Sequence, residues 1–267
     1  MCSLSGWPVQ PYKPWLKCGV GELNRGYEIG DRGKRGMVVG NEVSYEVLVA
    51  KAFATNCWIL SAPGSDQALI VDPGIGDPFL HQVILERCAE LKLHPVATFI
   101  THGHLDHMFS LAPLCSCEKI PTLIHSADRA LLAHPERALS SSAASMIPKG
   151  MTFAEPEEVV ELSDGLQLDI AGLKLSFHHT PGHTPGSIVA VVESQLLLSG
   201  DVLFAGSIGR TDLPLGSLSD MERSLREKII PLPDHLRVLP GHGKTSTIGA
   251  ERERNPFLRA AMEGRLG

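Results

Sequence analysis

Four stretches spread along the chain end a strand-like segment in a turn that carries histidine or aspartate. They are "FITHGHLDHM" (99–108), "HTPGHTPGS" (179–187), "LLLSGDVLF" (196–204) and "VLPGHG" (238–243). Acids and imidazoles crowded together are costly unless an ion compensates them, so a fold for this chain has to bring these strand ends to one edge. Glycine at the turns lets the backbone reverse sharply there. A lone histidine says little in a chain with 12 of them. His81, His94, His125, His134, His178 and His235 therefore read as ordinary surface or core residues. By contrast, His102, His104, Asp106 and His107 fall within six positions, and His183, Asp201 and His242 each end one of the other stretches. These seven are the candidate ligands. A tetrahedral catalytic ion typically takes three ligands from the protein, so seven suit two cations. A carboxylate can bridge cations ~3.5–4 Å apart, with a water or hydroxide on the other bridge. Asp201 is the expected bridge.

The surrounding pattern predicts an α/β layered fold. "VSYEVLVA" (43–50), "NCWIL" (56–60) and "QALIVD" (67–72) read as strands, and "DPG" (72–74) breaks the sheet. Leu80, Ile84, Cys88 and Leu91 then repeat at helical spacing, with Pro78 suited to the first turn and Pro95 beyond the end. "VATFI" (96–100) is the next strand, which puts the four-ligand cluster on a strand-to-helix loop with a helix opening from Asp106. Strands are expected near 166–170, 173–179, 187–192, 195–199 and 236–239, and a helix over 220–229. Ser219-x-x-Glu222 spells a capping box at that helix's start.

One large domain is expected over 37–267. Residues 1–36, rich in Gly, Pro and cations without a sustained period, read as a loosely held extension. Met37 stands just before the first strand pattern, and the extension reads as a leader or an over-extended start. Removing it should leave activity and melting temperature nearly intact. A net charge of −6 with no long basic block gives no footprint for nucleic acid. No apolar run approaches the ~18 residues of a membrane span, so small molecules are the expected partners. Six scattered cysteines and the lack of a hydrophobic signal core predict a cytoplasmic protein. Cys115 and Cys117 lack a second pair at zinc-site spacing and read as small packed side chains.

Together, "THGHLDH", "HTPGHTPGS", "SGDVLF" and "PGHG" resemble the metallo-β-lactamase superfamily over roughly residues 43 to 256. "GDVLFAGSIGRTDLPLGS" (200–217) and "PGHGKTSTIGAERERNPFL" (240–258) are similar to its hydroxyacylglutathione hydrolase, or glyoxalase II, branch. The resemblance implies a four-layer αβ/βα sandwich with metals at one sheet edge. It implies one metal on His102, His104 and His183, a second on Asp106, His107 and His242, and Asp201 shared. Two divalent ions are implied, zinc first, with iron or manganese as alternatives. Asp106 and Asp201 are the expected catalytic carboxylates, and Arg210 aligns with a cationic position beside the thiol-bearing part of the substrate. Arg210 reads equally well as a solvated loop charge. The implied reaction is hydrolysis of a small acyl-thiol such as S-lactoylglutathione. The chain ends 25 residues after His242, short of a helical region that grips glutathione in this branch, which leaves the thiol open. A mononuclear-iron persulfide dioxygenase shares these motifs and is the alternative enzyme; a non-catalytic metal-binding module ranks last.

Overall fold

A computed structural model of the chain describes residues 42–50, 52–76, 80–145, 147 and 150–266, together with the backbone of 27–29. Within the N-terminal extension, β1 (Tyr27–Ile29) pairs antiparallel with β2 (Ser44–Ala50). The rest of residues 1–36, Met37 and Pro78 lie outside the described residues.

The first sheet runs in chain order from β1 and β2 through β3 (Asn56–Ser61), β4 (Gln67–Val71), β5 (His94–Phe99) and β6 (Thr122–His125) to β7 (Val159–Leu162). Its first three pairings are antiparallel and its last three parallel. The parallel steps are bridged by α1 (Leu80–Glu90), between β4 and β5, and by α2 (Leu105–Met108) and α3 (Leu111–Glu118), between β5 and β6; α4 (Ser141–Ala144) follows before β7. The second sheet contains β8 (Gln167–Ile170), β9 (Leu173–His179), β10 (Ile188–Val192), β11 (Leu196–Gly200), β12 (Arg237–Pro240) and β13 (Ser246–Thr247), with neighbours again in chain order. Only β11 and β12 pair in parallel there, joined through α5 (Leu218–Ser224); α6 (Ile248–Arg254) and α7 (Pro256–Met262) close the described chain.

Alternation along the strands sorts side chains into layers. Trp58 and Leu60 of β3 enter the core between the sheets, while Cys57 and Ile59 face α1. Leu196 and Leu198 of β11 enter the same central core, while Leu197 packs with Met221 and Leu225 of the α5 region and with Leu258 of α7. Helix, sheet, sheet, helix is the resulting order, the four-layer sandwich expected. Phe99 and Phe177 meet edge to face across the central core, with centroids 5.3 Å apart.

Several boundaries differ from expectation. Pro95 lies inside β5 and not ahead of it, at the register shift between Ala68 and Leu69 of its partner, where the ladder is irregular. α5 begins at Leu218, and its cap is Ser217, whose Oγ accepts the Asp220 N–H at 3.3 Å; the Ser219–Glu222 spelling is out of register with the extended residue that ends the loop. The helix then continues to Ile229 through a π-turn. Cys115 is buried in α3 against Thr98 and Thr122, but Cys117, two residues on, is exposed, so only the first packs as expected.

Candidate metal centre

The carboxyl ends of parallel neighbours point the same way, so β4 and β5 in one sheet, and β11 and β12 in the other, deliver their following loops to one edge. Beyond β5 come His102 and His104, and α2 then carries Asp106 and His107. Asp201 directly follows β11, His242 follows β12, and His183 sits in the turn between β9 and β10. Three groups of donors result: His102, His104 and His183; Asp106, His107 and His242; and His102, His107 and Asp201. Within each group the candidate ligand atoms lie within 4.8 Å of one another. All seven candidate ligands therefore meet in one cluster.

Hydrogen bonds behind the imidazoles set which nitrogen faces inward. His183 Nδ1 donates to the Arg210 carbonyl at 2.7 Å and His242 Nδ1 to the Phe53 carbonyl at 3.0 Å, so that in the neutral ring each Nε2 is the acceptor. His107 Nδ1 donates to Asp72 Oδ2 at 3.0 Å. The Thr101 hydroxyl donates to the same carboxylate at 2.8 Å, and so accepts from His102 Nδ1 at 3.1 Å. Inside the cluster the nitrogens crowd. His104 Nδ1 lies 2.8 Å from His183 Nε2, and His107 Nε2 lies 3.2 Å from His242 Nε2. Asp201 spans the groups, with Oδ1 3.5 Å from His107 Nε2 and Oδ2 3.5 Å from both His183 Nε2 and His242 Nε2. Three buried polar atoms, His102 Nε2, His104 Nε2 and Asp201 Oδ1, have no hydrogen-bond partner. Borderline nitrogen and oxygen donors, inward lone pairs and unpartnered buried atoms fit divalent cations.

Electrostatics divide the cluster. Burial, reinforced by the neighbouring histidines, drives His102 well below the usual imidazole range, and burial beside His183 pushes His104 down to about 3. Burial also opposes charge on His107, but the carboxylates of Asp106, Asp201 and Asp72 outweigh it and hold its pKa at about 10. Asp106 is held well below the carboxylate range despite its burial, by His107 and His242. Without metal, His102 and His104 favour the neutral imidazole, whereas His107 and Asp106 share protons between base and acid. Cations would take the place of those protons, so metal uptake should release them.

Arg210 does not join the cluster. Its guanidinium pairs with Asp212 at 2.8 Å and is 60% exposed, although its charge helps to lower His104. Its contact with the cluster is through the backbone, where its carbonyl orients His183. His94, His134 and His235 make polar contacts elsewhere, with Asp66, Glu136 and Ser194, and His125 stacks on His179.

Several supporting residues were not predicted. Asp72 directly follows β4 in a left-handed conformation (φ 50°) and binds Thr101 and His107. The end of "QALIVD" has the strand-then-acid spelling of the other ligand loops, and that was the available signal. Thr55 donates to Asp106 at 3.0 Å, and Asn56 and Trp58 donate to the Pro240 carbonyl ahead of His242. Gly241, between them, lets the Asp201 carboxylate pass: a Cβ there would lie 2.1 Å from Asp201 Oδ1 and 2.7 Å from His107 Cε1.

The C-terminal "ERERNPFL" also acquires a role. Asn255 Nδ2 donates to Ser207 O at 3.0 Å and to Glu251 Oε2 at 2.9 Å, and Glu251 accepts from Gly206 N at 2.7 Å, so the α6–α7 corner braces the loop after Asp201. Asn255 Oδ1 also caps α7 through Phe257 N and Leu258 N. Asn255→Ala removes a cap and strips partners from buried groups, for an expected loss of about 2 to 4 kcal/mol in urea unfolding. A loss under about 0.5 kcal/mol, the range of an ordinary surface change, would show that the brace is not structural.

The family profile described as "Metallo-beta-lactamase superfamily" matches residues 50–242. An uncharacterised protein of Mycobacterium tuberculosis (strain ATCC 25618 / H37Rv) is 43% identical over 217 residues, covering 78% of this chain and 95% of its own length. "Hydroxyacylglutathione hydrolase GloC" of Haemophilus influenzae is 34% identical over 226 residues, covering 81% of this chain and 98% of its own. Among solved structures, the BLEG-1 B3 metallo-beta-lactamase superposes with a TM-score of 0.70 at 33% identity, covering 80% of this chain and 99% of its own. TTHA1623, in a di-iron-bound form, superposes with a TM-score of 0.64 at 30% identity, covering 79% and 98%.

Proposed function

Because the chain belongs to the metallo-β-lactamase superfamily, we propose that it is a metal-dependent hydrolase cleaving thioesters of small acyl-thiols such as S-lactoylglutathione. The observation that carries this reading is the meeting of two histidine-rich donor groups at Asp201, whose two oxygens face different histidines. Two divalent cations, zinc foremost and iron or manganese as alternatives, would there lower the pKa of a water and polarise a carbonyl. The residues of the chain fix the arrangement. Asp72, the Arg210 carbonyl and the Phe53 carbonyl hold three imidazoles with their acceptor nitrogens inward. Thr55 holds Asp106 in place. A thiol of pKa ≈ 8.5 leaves readily as thiolate, so a thioester needs no separate proton donor, whereas an amide does. The GloC relative supports the thioester choice, as does the "GRTDLPLGS" loop. Arg210 stands at the border of the cluster, and in this reading it turns from Asp212 toward the thiol portion of the substrate.

A second reading has a specific observation behind it. Asp106, His107 and His242, and likewise His102, His107 and Asp201, are two-histidine, one-carboxylate sets, the combination used by mononuclear iron oxygenases. A persulfide dioxygenase is therefore the alternative. Thioester loss and oxygen uptake measured on one metal-analysed preparation separate the two. The expected result is S-lactoylglutathione hydrolysis without oxygen consumption, at about two metal equivalents per chain. Oxygen uptake with glutathione persulfide, stoichiometric with sulfite and requiring one iron, would replace the hydrolase reading by the dioxygenase.

A further inference from the structure

We propose that Asp128 is a positioning residue that keeps His102, His104 and His183 converged by tying their two loops together through one carboxylate. Asp128 lies in the 3-10 segment Ser126–Leu132 after β6 and is fully buried. Its carboxylate is met by three donors. Oδ2 accepts the Gly103 N–H at 2.8 Å and the Thr184 hydroxyl at 2.6 Å, and Oδ1 accepts the Gly186 N–H at 2.7 Å. Gly103 is the residue between His102 and His104, and Thr184 directly follows His183. One side chain thus spans the two loops that carry the first group of donors. The space for it is built in, because a Cβ on Gly186 would lie 2.5 Å from Asp128 Cγ. Thr184 is itself held, its backbone N–H donating to Ser187 Oγ at 3.0 Å, so the carboxylate grips an ordered turn.

None of these bonds reaches Asp106, His107 or His242. Those residues are supported by Thr55, Asp72 and the Phe53 carbonyl. The clamp should therefore act on one donor group and leave the other alone, which a merely structural residue would not do. Partners of metal ligands typically change metal affinity by 10–100-fold. In Asp128→Asn, one oxygen becomes a donor facing donors, so the weakening should fall on the His102, His104 and His183 group.

This inference rests on metal binding by the cluster, and not on the thioester. The test is competition between a chelator and the full-length protein for zinc, giving two stepwise dissociation constants. They are assigned to the two groups with His104→Ala and His242→Ala as references. Asp128→Asn should weaken the first group by roughly 10-fold or more and leave the second within about twofold. Thr184→Val, which removes one donor and keeps the backbone bonds, should shift the same constant in the same direction by less, and it serves should the Asn variant fail to fold. Equal weakening of both groups in Thr184→Val, or unchanged constants in the variants that fold, would overturn the clamp. Wild-type protein that binds no zinc would instead overturn the metal reading beneath it.

Discussion

Asp201→Ala is expected to lower turnover at least about 1,000-fold, roughly 4 kcal/mol of barrier, while His178→Ala stays within about twofold of wild type. Asp201 is buried and lies 3.5 Å from the inward nitrogens of His107, His183 and His242, so its removal takes away a carboxylate that stands beside histidines of all three groups. His178 is in β9, paired with Val189 of β10, and belongs to none of the donor groups. The measurement is turnover together with metal per chain, after circular dichroism has shown an intact fold. Wild-type turnover with unchanged metal content in the Asp201 variant would remove the bridging assignment.

The second large effect should come from a methyl group. Gly241 is pinned on both sides: its N–H donates to Gly200 O at 2.9 Å, and its carbonyl accepts from Asn56 N at 2.7 Å. The backbone has little freedom to retreat. An alanine Cβ would come 2.1 Å from Asp201 Oδ1, well inside contact distance, and the short aspartate side chain has to turn away. Gly241→Ala should therefore fold and lose at least about 100-fold in activity, with metal content reduced, since a misplacement of about 1 Å is enough for a loss of that order. Full activity with two equivalents of metal would mean that the carboxylate has another productive position. Because Gly241→Ala keeps Asp201 and changes only its place, comparison with Asp201→Ala separates the charge from its placement.

The two variants also mark different depths of legibility. Asp201 was readable from "LLLSGD", because an apolar run, a glycine and an acid in succession imply a strand end with a polar tip. His102, His104, Asp106 and His107 were readable from density alone, and His183 and His242 from the same strand-end spelling. Strands such as Asn56–Ser61 and Leu173–His179 were legible because alternating or continuous burial leaves a period in the chain. β6 and β7 leave no signal in the sequence, because four residues each are too few for a period to emerge. The cap of α5 lies two residues before the Ser219 of the capping-box spelling, since such a spelling does not say which serine is extended; Ser217 is, with φ −148° and ψ 113°.

By itself, then, the sequence determined which donor types exist and that each follows a strand, because ligand chemistry and strand period are local properties. The tertiary structure decided which nitrogen of each imidazole faces inward, since the deciding partners, the carbonyls of Arg210 and Phe53 and the carboxylate of Asp72, lie far away in the chain. It also decided that Arg210 meets the cluster through its carbonyl while its guanidinium stays with Asp212. Asp128 shows the same division: its neighbours "SADRALL" carry no sign of a site, and it acquires a role only when β6 brings it under Gly103 and Gly186. The physical reason is that a hydrogen bond needs a partner at ~3 Å in a particular direction, and that relation between distant segments exists only once both sheets have packed.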